Sequence, residues 1–282
     1  MSQIKQILFP IDFSQRCIAA AHHLNLWAER FSAAVIALHI VDPTDYFVSA
    51  NPDDQRVYEE LAGLKSKRMS DLDYFCNHYL TNNNRVRKIV STGATAELIV
   101  AASESEQADL VMLPRGHQSL GSRWMHDSVA AKILDACTSP VWTSEKLNSL
   151  RVPPLQDIVC AVHVGADLLL DAANERLLDF VHLVAHGFGA TVTCVYVAKS
   201  GAQREVPAIS ARLANIRHEM QDVAEFETHP GEIKKAIVEV ANRRSADLIM
   251  LGRTRVGTVG LGVQGHILRV DHDAPCPVLS VL

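Results

Sequence analysis

The sequence repeats itself once along its length, and this duplication limits the possible folds more than any other feature. Three segments of the first half return in the same order in the second: ILFPID at 7–12 as IVCAVH at 158–163, ADLVML at 108–113 as ADLIML at 246–251, and SPVW at 139–142 as CPVL at 276–279. The repeated unit is far longer than a solenoid repeat. The 282 residues are therefore expected to form two whole domains rather than one large domain.

The domain boundaries follow from the repeat. We predict a first domain at 1–146, a linker at 147–157 and a second domain at 158–282. The linker contains Pro153 and Pro154, and adjacent prolines disfavour both helices and central strands because each lacks a backbone N–H.

Apolar runs of strand length alternate with helix-length amphipathic segments in both halves. Near-continuous apolar runs such as 35–41 and 110–113 are typical of parallel strands buried on both faces. We predict an α/β fold of two tandem open-sheet domains, each a five-stranded parallel sheet with helices on both faces. Ligands of such sheets bind beyond the carboxyl ends of the strands, where the strand order reverses.

Composition excludes several functional classes. The chain has 27 Lys and Arg against 32 Asp and Glu, a net charge of −5, which argues against a general binder of nucleic acid or membrane surfaces. The N-terminal segment reaches Asp12 too soon for a secretory signal, and no uncharged apolar run approaches about 18 residues. A cytoplasmic protein without a membrane span is the expectation.

The cysteines and histidines do not form metal-binding motifs. Six scattered cysteines, without a Cys-x-x-Cys pair, are expected to be mostly reduced core residues. His182 and His186 share a helix face but lack further ligands in the sequence nearby, so no metal site is expected. The basic clusters at 65–68 and 243–244 are expected on solvated helix faces.

A carboxylate follows the first predicted strand. Asp12 stands at the edge of the sheet, where it either accepts hydrogen bonds from a ligand amine or hydroxyl, or caps the turn into the next helix, with Ser14 as N-cap. His163 occupies the corresponding position of the second half, and a neutral imidazole cannot replace a carboxylate there.

Several motifs resemble one known family. ILFPIDFS at 7–14, LHIV at 38–41, ADLVML at 108–113 and APCPVL at 274–279 make the chain similar to a universal stress protein in tandem form, over nearly all of both halves. The resemblance implies a Rossmann-like fold related to the adenine nucleotide alpha hydrolases. It also implies a stress-response module, in a family in which some members bind ATP and others do not.

For the members that bind ATP, the resemblance implies specific residues. An Asp after strand one, here Asp12, holds the adenine side, and a Val at the end of strand two, here Val41 and Val197, contacts the base through its backbone. A Gly-x-x-Gly-(nine residues)-Gly-Ser/Thr loop after strand four then holds the phosphates, because glycines let N–H groups approach them. The implied cofactor is ATP or another adenine nucleotide, with no metal beyond nucleotide-bound Mg.

The first half departs from this loop. Counting back from Pro140 aligns Asp127 and Ser128 with the family's Gly-Ser pair, while Pro114 and His117 replace the first two glycines. An Asp at this turn repels phosphate, and proline removes a donor. The first half therefore keeps the adenine-side residues and Ser128 but loses the phosphate-binding loop.

The second half departs in a different way. Gly252 and Gly265 keep the family spacing, but Arg255 replaces the middle glycine and His266 the Ser/Thr, with the register uncertain by one residue. This Gly-rich loop, which also carries Arg253, either binds an anion or is a solvated loop. The second half thus keeps more of the phosphate side and less of the adenine side.

These observations predict a tandem universal stress protein that acts as a binding or regulatory module with degenerate ATP-type sites and without catalytic turnover. The two domains are expected to pack as an internal pseudo-dimer, while association of two chains and a protein partner remain open. One alternative is an enzyme of the same fold that binds or hydrolyses ATP. Another is a protein-interaction module whose cleft is filled by side chains.

Overall fold

The structure is a computed structural model, and it describes residues 3–45, 55–81, 85–114, 127–144, 154–162, 168–198, 223–230, 232–253 and 270–282. The described residues divide into two compact units. The first contains the described residues up to Val141, and the second contains Trp142–Ser144 and the described residues from 154 onward. The predicted boundaries at 146 and 158 remain predictions, because the division into units reflects spatial contacts between residues and not the sequence repeat.

The first unit contains four parallel strands and four helices. Its elements are β1 (Gln6–Pro10), α1 (Gln15–Phe31), β2 (Ala34–Val41), α2 (Gln55–Tyr79), β3 (Val86–Thr92), α3 (Thr95–Ser105), β4 (Leu110–Pro114) and α4 (Asp127–Ala136). The strand order is β3-β2-β1-β4, and each neighbouring pair is parallel. The order reverses between β1 and β4, as in other doubly wound sheets.

The second unit has the corresponding arrangement. Its elements are β5 (Val141–Ser144), β6 (Asp157–Val162), α5 (Leu168–Phe188), β7 (Thr191–Ala198), β8 (Val223–Pro230), α6 (Ile233–Arg244), β9 (Leu248–Gly252) and β10 (Val278–Val281). The order β10-β9-β6-β7-β8 is again parallel throughout. Val141, the first residue of β5, belongs to the first unit. The remaining residues of β5 belong to the second unit, where Thr143 Oγ1 donates to the Val278 carbonyl of β10 at 3.3 Å.

The central strands form the core of each unit. All five residues of β4 and all but the first residue of β2 are buried, as expected for strands covered on both faces. The edge strand β3 is more polar and only partly buried. The α/β prediction is confirmed, and the runs predicted at 35–41 and 110–113 match β2 and β4 to within one residue at each end.

The aspartate of the repeated ADL segment has the same structural role in both units. Asp109 Oδ2 accepts hydrogen bonds from the backbone N–H groups of Lys5 and Gln6, at 2.7 and 2.9 Å. Asp247 Oδ2 accepts the corresponding pair from Gln156–Asp157, at 2.8 and 3.0 Å. Each carboxylate therefore joins the start of the fourth strand of its half to the start of the first strand, at the amino edge of the sheet.

Helix capping and cysteine burial follow the sequence. Ser14 is the N-cap of α1, and its side chain accepts the Cys17 N–H at 3.3 Å, as predicted. All six cysteines are free, and all except Cys276 are buried, which confirms their assignment to the core. Among the described residues, no helix is both long and apolar enough to cross a membrane.

Candidate functional site

Two carboxylates follow neighbouring strands at the carboxyl edge of the first unit. In the parallel register Pro10, the last residue of β1, lies opposite Leu38 of β2. Asp12 follows the end of β1, and Asp42 follows Val41, the last residue of β2. This edge is where ligands of doubly wound sheets bind, so the groups around Asp12 form the candidate site.

The Asp12 carboxylate is fixed through one oxygen. Oδ1 accepts the Ser14 N–H at 2.9 Å and the Cys17 thiol at 2.8 Å. The described residues provide no hydrogen-bond partner for Oδ2. Asp12 therefore stabilises the turn into α1 through Oδ1 and keeps Oδ2 available to a ligand. The turn-capping role and the ligand-binding role considered for Asp12 are thus compatible.

Cys17 acts as a donor to Asp12 and not as a nucleophile. Burial, with the neighbouring charge of Asp12, raises the pKa of the Cys17 thiol well above its usual value. The thiol consequently remains protonated at neutral pH, and its side chain is fully buried. The sequence placed Cys17 in the core, but its spacing of five residues from Asp12 gave no indication of this contact.

An aromatic and basic cluster lies beside Asp12. The Phe13 ring lies 4.5 Å from the His39 ring, centroid to centroid, and the Arg68 guanidinium lies 5.9 Å from the Phe13 centroid. Phe13 has a φ of 60°, a left-handed conformation that costs a bulky residue energy. The packing of His39 and Arg68 around its ring holds this side chain at the site.

His39 is a neutral member of this cluster. Its Nδ1 lies 2.7 Å from the carbonyl oxygen of Ile11, and because a carbonyl only accepts, Nδ1 carries the proton. Burial lowers the pKa of His39, and the nearby Arg68 charge lowers it further, against the opposing effect of the Ile11 hydrogen bond. In the sequence, His39 is part of an apolar strand, and nothing there predicts its contact with Phe13.

Arg68 is less exposed than the sequence predicts. Lys65 and Lys67 are exposed on α2 as expected. The Arg68 side chain, in contrast, is only 28% exposed and pairs with Asp71 at 2.9 Å. It turns toward the sheet because Phe13 offers an aromatic face on which a guanidinium can stack.

The Val41 carbonyl is already engaged in a backbone hydrogen bond. It accepts the Gly93 N–H at 3.1 Å, so that only the second lone pair of this oxygen remains. Gly93 itself has a φ of 146°, and a Cβ added there would lie 3.1 Å from Leu98 Cδ1. This position between β3 and α3 therefore requires glycine.

A proline and an acidic residue stand at the positions that the resemblance assigns to the phosphate side of the first unit. β4 ends at the buried Pro114, and α4 begins at Asp127, with Ser128 as its second residue. After α4, the Pro140 carbonyl accepts the Val111 N–H near the start of β4. Because the chain leaves α4 at the amino edge of the sheet, the N-terminus of this helix points toward the carboxyl edge. His117 lies outside the described residues.

The second-half candidates are only partly described. Val197 lies half-buried in β7 opposite His229 of β8, and Gly252 is the last residue of β9. Arg253 is 1% exposed, and its backbone N–H donates to the Val281 carbonyl at 2.6 Å. Arg253 is thus buried in the protein rather than part of a solvated loop. Three further candidates, and the residue opposite Asp12 in the repeat, lie outside the described residues: Arg255, Gly265, His266 and His163.

The basic pair on α6 takes part in an ion-pair network. Arg243 and Arg244 both bond to Glu227 of β8, and Arg244 also pairs with Glu225. His229 Nε2 lies 2.9 Å from the Glu227 carboxylate. The hydrogen bond from Arg243 is the main cause that lowers the pKa of Glu227. Arg243 is exposed, as the sequence predicted, whereas Arg244 is partly buried, and both arginines join α6 to β8 through these ion pairs.

No metal centre is found in the part of the chain that the structure describes. The His182 and His186 rings stack with centroids 6.1 Å apart. Within the described ranges, however, no group of three His, Cys, Asp or Glu side chains is arranged to hold a metal ion.

Comparisons with known proteins identify the family and the fold. The family model described as "Universal stress protein family" matches residues 3–144. A universal stress protein of Archaeoglobus fulgidus is 16% identical, with a TM-score of 0.71, and the match covers 99% of this chain and 96% of that one. A candidate universal stress protein of Pseudomonas aeruginosa is 15% identical, with a TM-score of 0.67 and coverage of 99% and 93%. Among curated proteins, no sequence matches the chain.

Proposed function

Because the chain belongs to the universal stress protein family, we propose that it is a stress-response binding module whose first half holds an adenine-type ligand without turning it over. One observation carries the proposal. Asp12 is held through Oδ1 by two donors, and its Oδ2 has no partner among the described residues at the edge where such sheets bind ligands. A fixed carboxylate oxygen is a strong acceptor for an amine or a hydroxyl.

The chemistry around Asp12 favours binding over catalysis. Among the described residues beside Asp12, Cys17 has a buried thiol that is protonated because its pKa is raised. His39, the imidazole of the same cluster, donates through Nδ1 to a backbone carbonyl and is itself buried. The burial of both side chains supports a module without turnover.

Calorimetric titration of the full chain with adenosine, AMP, ADP and ATP tests the proposal. We expect saturable binding of at least one of them, and about tenfold weaker binding by the Asp12→Asn variant, because a hydrogen bond to a charged group contributes about 1.5–3 kcal/mol. Asp73→Asn is the matched control, since it removes a half-exposed carboxylate that pairs with Lys88 on the same unit.

Two results would overturn the proposal. One is the absence of binding by any adenine compound, which would favour a pure protein-interaction module. The other is a steady release of phosphate or pyrophosphate from ATP, abolished by the Asp12→Asn substitution. This result would favour an ATP-hydrolysing enzyme of the same fold.

A further inference from the structure

Two cysteines lie side by side on neighbouring strands of the second unit. Cys160 of β6 and Cys194 of β7 are partners in the parallel register. Partners in a parallel register direct their side chains to the same face of the sheet. Both residues are fully buried, and a hydrogen bond joins their thiols. The two sulfur atoms are therefore neighbours in the interior of this unit.

The spacing of the two strands suits a disulfide. Neighbouring strands lie about 4.8 Å apart, and a disulfide joins Cα atoms about 4.4–6.8 Å apart. A bond between the sulfur atoms of Cys160 and Cys194 consequently requires rotation of the side chains but no displacement of the strands. A disulfide is also uncharged, so that burial does not oppose it as burial opposes a thiolate.

The first half fills the matching place without sulfur. Phe9 of β1 corresponds to Cys160 in the repeat, and its register partner is Ala37 of β2. Both residues are fully buried, and the Phe9 ring lies 6.5 Å from the Phe75 ring, centroid to centroid. An apolar pair thus satisfies the packing of this fold at the place concerned. The thiol pair of the second half adds a chemistry that the packing does not require.

Burial makes the thiol pair slow to react in the closed structure. The hydrogen bond with Cys194, together with burial, raises the pKa of the Cys160 thiol well above its usual value. The thiolate is the form of cysteine that attacks an oxidant, and the oxidant must also reach the sulfur. Reaction therefore requires a local opening of the unit, in which the thiol contacts water and ionises.

We propose that Cys160 and Cys194 are a peroxide-sensitive dithiol, which closes to a disulfide between β6 and β7 when the second unit opens. One thiolate attacks hydrogen peroxide, the O–O bond breaks, and the products are a sulfenic acid and a hydroxide that takes up a proton to become water. The second thiol then attacks the sulfenic sulfur, so that the S–S bond forms, the S–O bond breaks and a second water leaves. Two thiols are oxidised and one peroxide is reduced to two waters.

Peptide mapping of the full chain tests the proposal directly. The protein is treated with hydrogen peroxide, free thiols are blocked with N-ethylmaleimide in denaturant, and non-reducing digests are analysed by mass spectrometry. We expect a linked pair of peptides that contains Cys160 and Cys194, has lost two hydrogen atoms and is separated by dithiothreitol.

Cys137 is the internal control for this mapping. It is as fully buried as the pair, but its sulfur lies 3.4 Å from the Ser103 hydroxyl oxygen. A hydroxyl cannot attack a sulfenic acid to form a disulfide, so Cys137 should be recovered as a free thiol or as an oxygenated acid and not in a linked peptide.

A single variant separates the two steps of the reaction. Cys160→Ser keeps a small hydrogen-bonding side chain beside Cys194 but removes the second thiol. Dimedone, which traps sulfenic acids, should label Cys194 in this variant at least about tenfold more than in the wild type, where the neighbouring thiol reacts first because it is already in place.

Denaturant tests the role of opening. At urea concentrations below the unfolding midpoint, formation of the linkage in the wild type should become at least about fivefold faster, because urea lowers the free energy of opening. A rate that does not depend on urea would contradict the requirement for opening.

Three products would overturn the assignment of the disulfide. They are separate sulfinic acids on Cys160 and Cys194, linkage of either residue mainly to another cysteine, and thiols that persist at urea concentrations where the unit opens. All three are measured on the unsubstituted chain, so the proposal can be refuted even if Cys160→Ser does not fold.

Discussion

Single residues at the carboxyl edge of the first unit set what the edge can hold. Asp12 is directed by Ser14 and Cys17, and the Val41 carbonyl is shared with Gly93. These hydrogen bonds fix a side chain or a carbonyl before any ligand arrives. Preorganised acceptors of this kind reduce the entropic cost of binding.

Gly93 offers the sharpest residue-scale prediction. Gly93→Ala should destabilise the fold by about 1–3 kcal/mol, because φ is 146° and the new Cβ would lie 3.1 Å from Leu98 Cδ1. Gly63→Ala is the control: no atom lies within 4 Å of its added Cβ, and alanine should stabilise the exposed face of α2 by about 0.5–1 kcal/mol. Urea unfolding followed by circular dichroism measures both, and equal midpoints for the two variants would refute the strain at Gly93.

At the scale of elements, β8 and α6 are joined by ion pairs. Glu225 and Glu227 project from one face of the strand toward Arg243 and Arg244 of the helix. β8 is also the last strand of the described order, with β7 as its partner. A charged network on an edge strand both fixes the adjoining helix and discourages pairing with another chain.

This network should make stability depend on pH in a defined direction. Because the folded protein lowers the pKa of Glu227, its carboxylate stabilises the fold above the unfolded pKa, and this stabilisation is lost as the pH falls through the folded pKa. Glu227→Gln should therefore lower the urea midpoint at pH 7, with a difference from wild type that shrinks below pH 4. Glu175→Gln, on an exposed position of α5, should show no such trend, and a constant difference for Glu227→Gln would contradict the shift.

At the scale of the whole chain, two aspartates link the first and fourth strands of each half. Asp109→Asn should accelerate amide hydrogen exchange at Lys5–Gln6, and Asp247→Asn at Gln156–Asp157, because each variant loses strong charged acceptors. Each variant serves as the control for the other, and hydrogen-exchange mass spectrometry measures the exchange rates at both sites. Acceleration at both sites by either variant would contradict separate local roles.

The sequence was sufficient to predict the α/β class. Buried parallel strands need continuous apolar runs, and a duplicated set of such runs fixes the α/β class. The Ser14 cap was also predictable, because its hydrogen bond reaches only three residues along the chain. The stacking of Arg68 on Phe13 joins positions more than fifty residues apart, and the backbone N–H of Arg253 donates to Val281 of β10. No local pattern encodes such contacts.

The paired Asp109 and Asp247 contacts also give the two halves a common frame of reference. Each places the start of the first strand of its half at the same point relative to the fourth. A chimera in which the turn at Asp12 replaces the matching segment of the half that carries Gly252 would leave both anchors in place, because they lie at the opposite edge of the sheet.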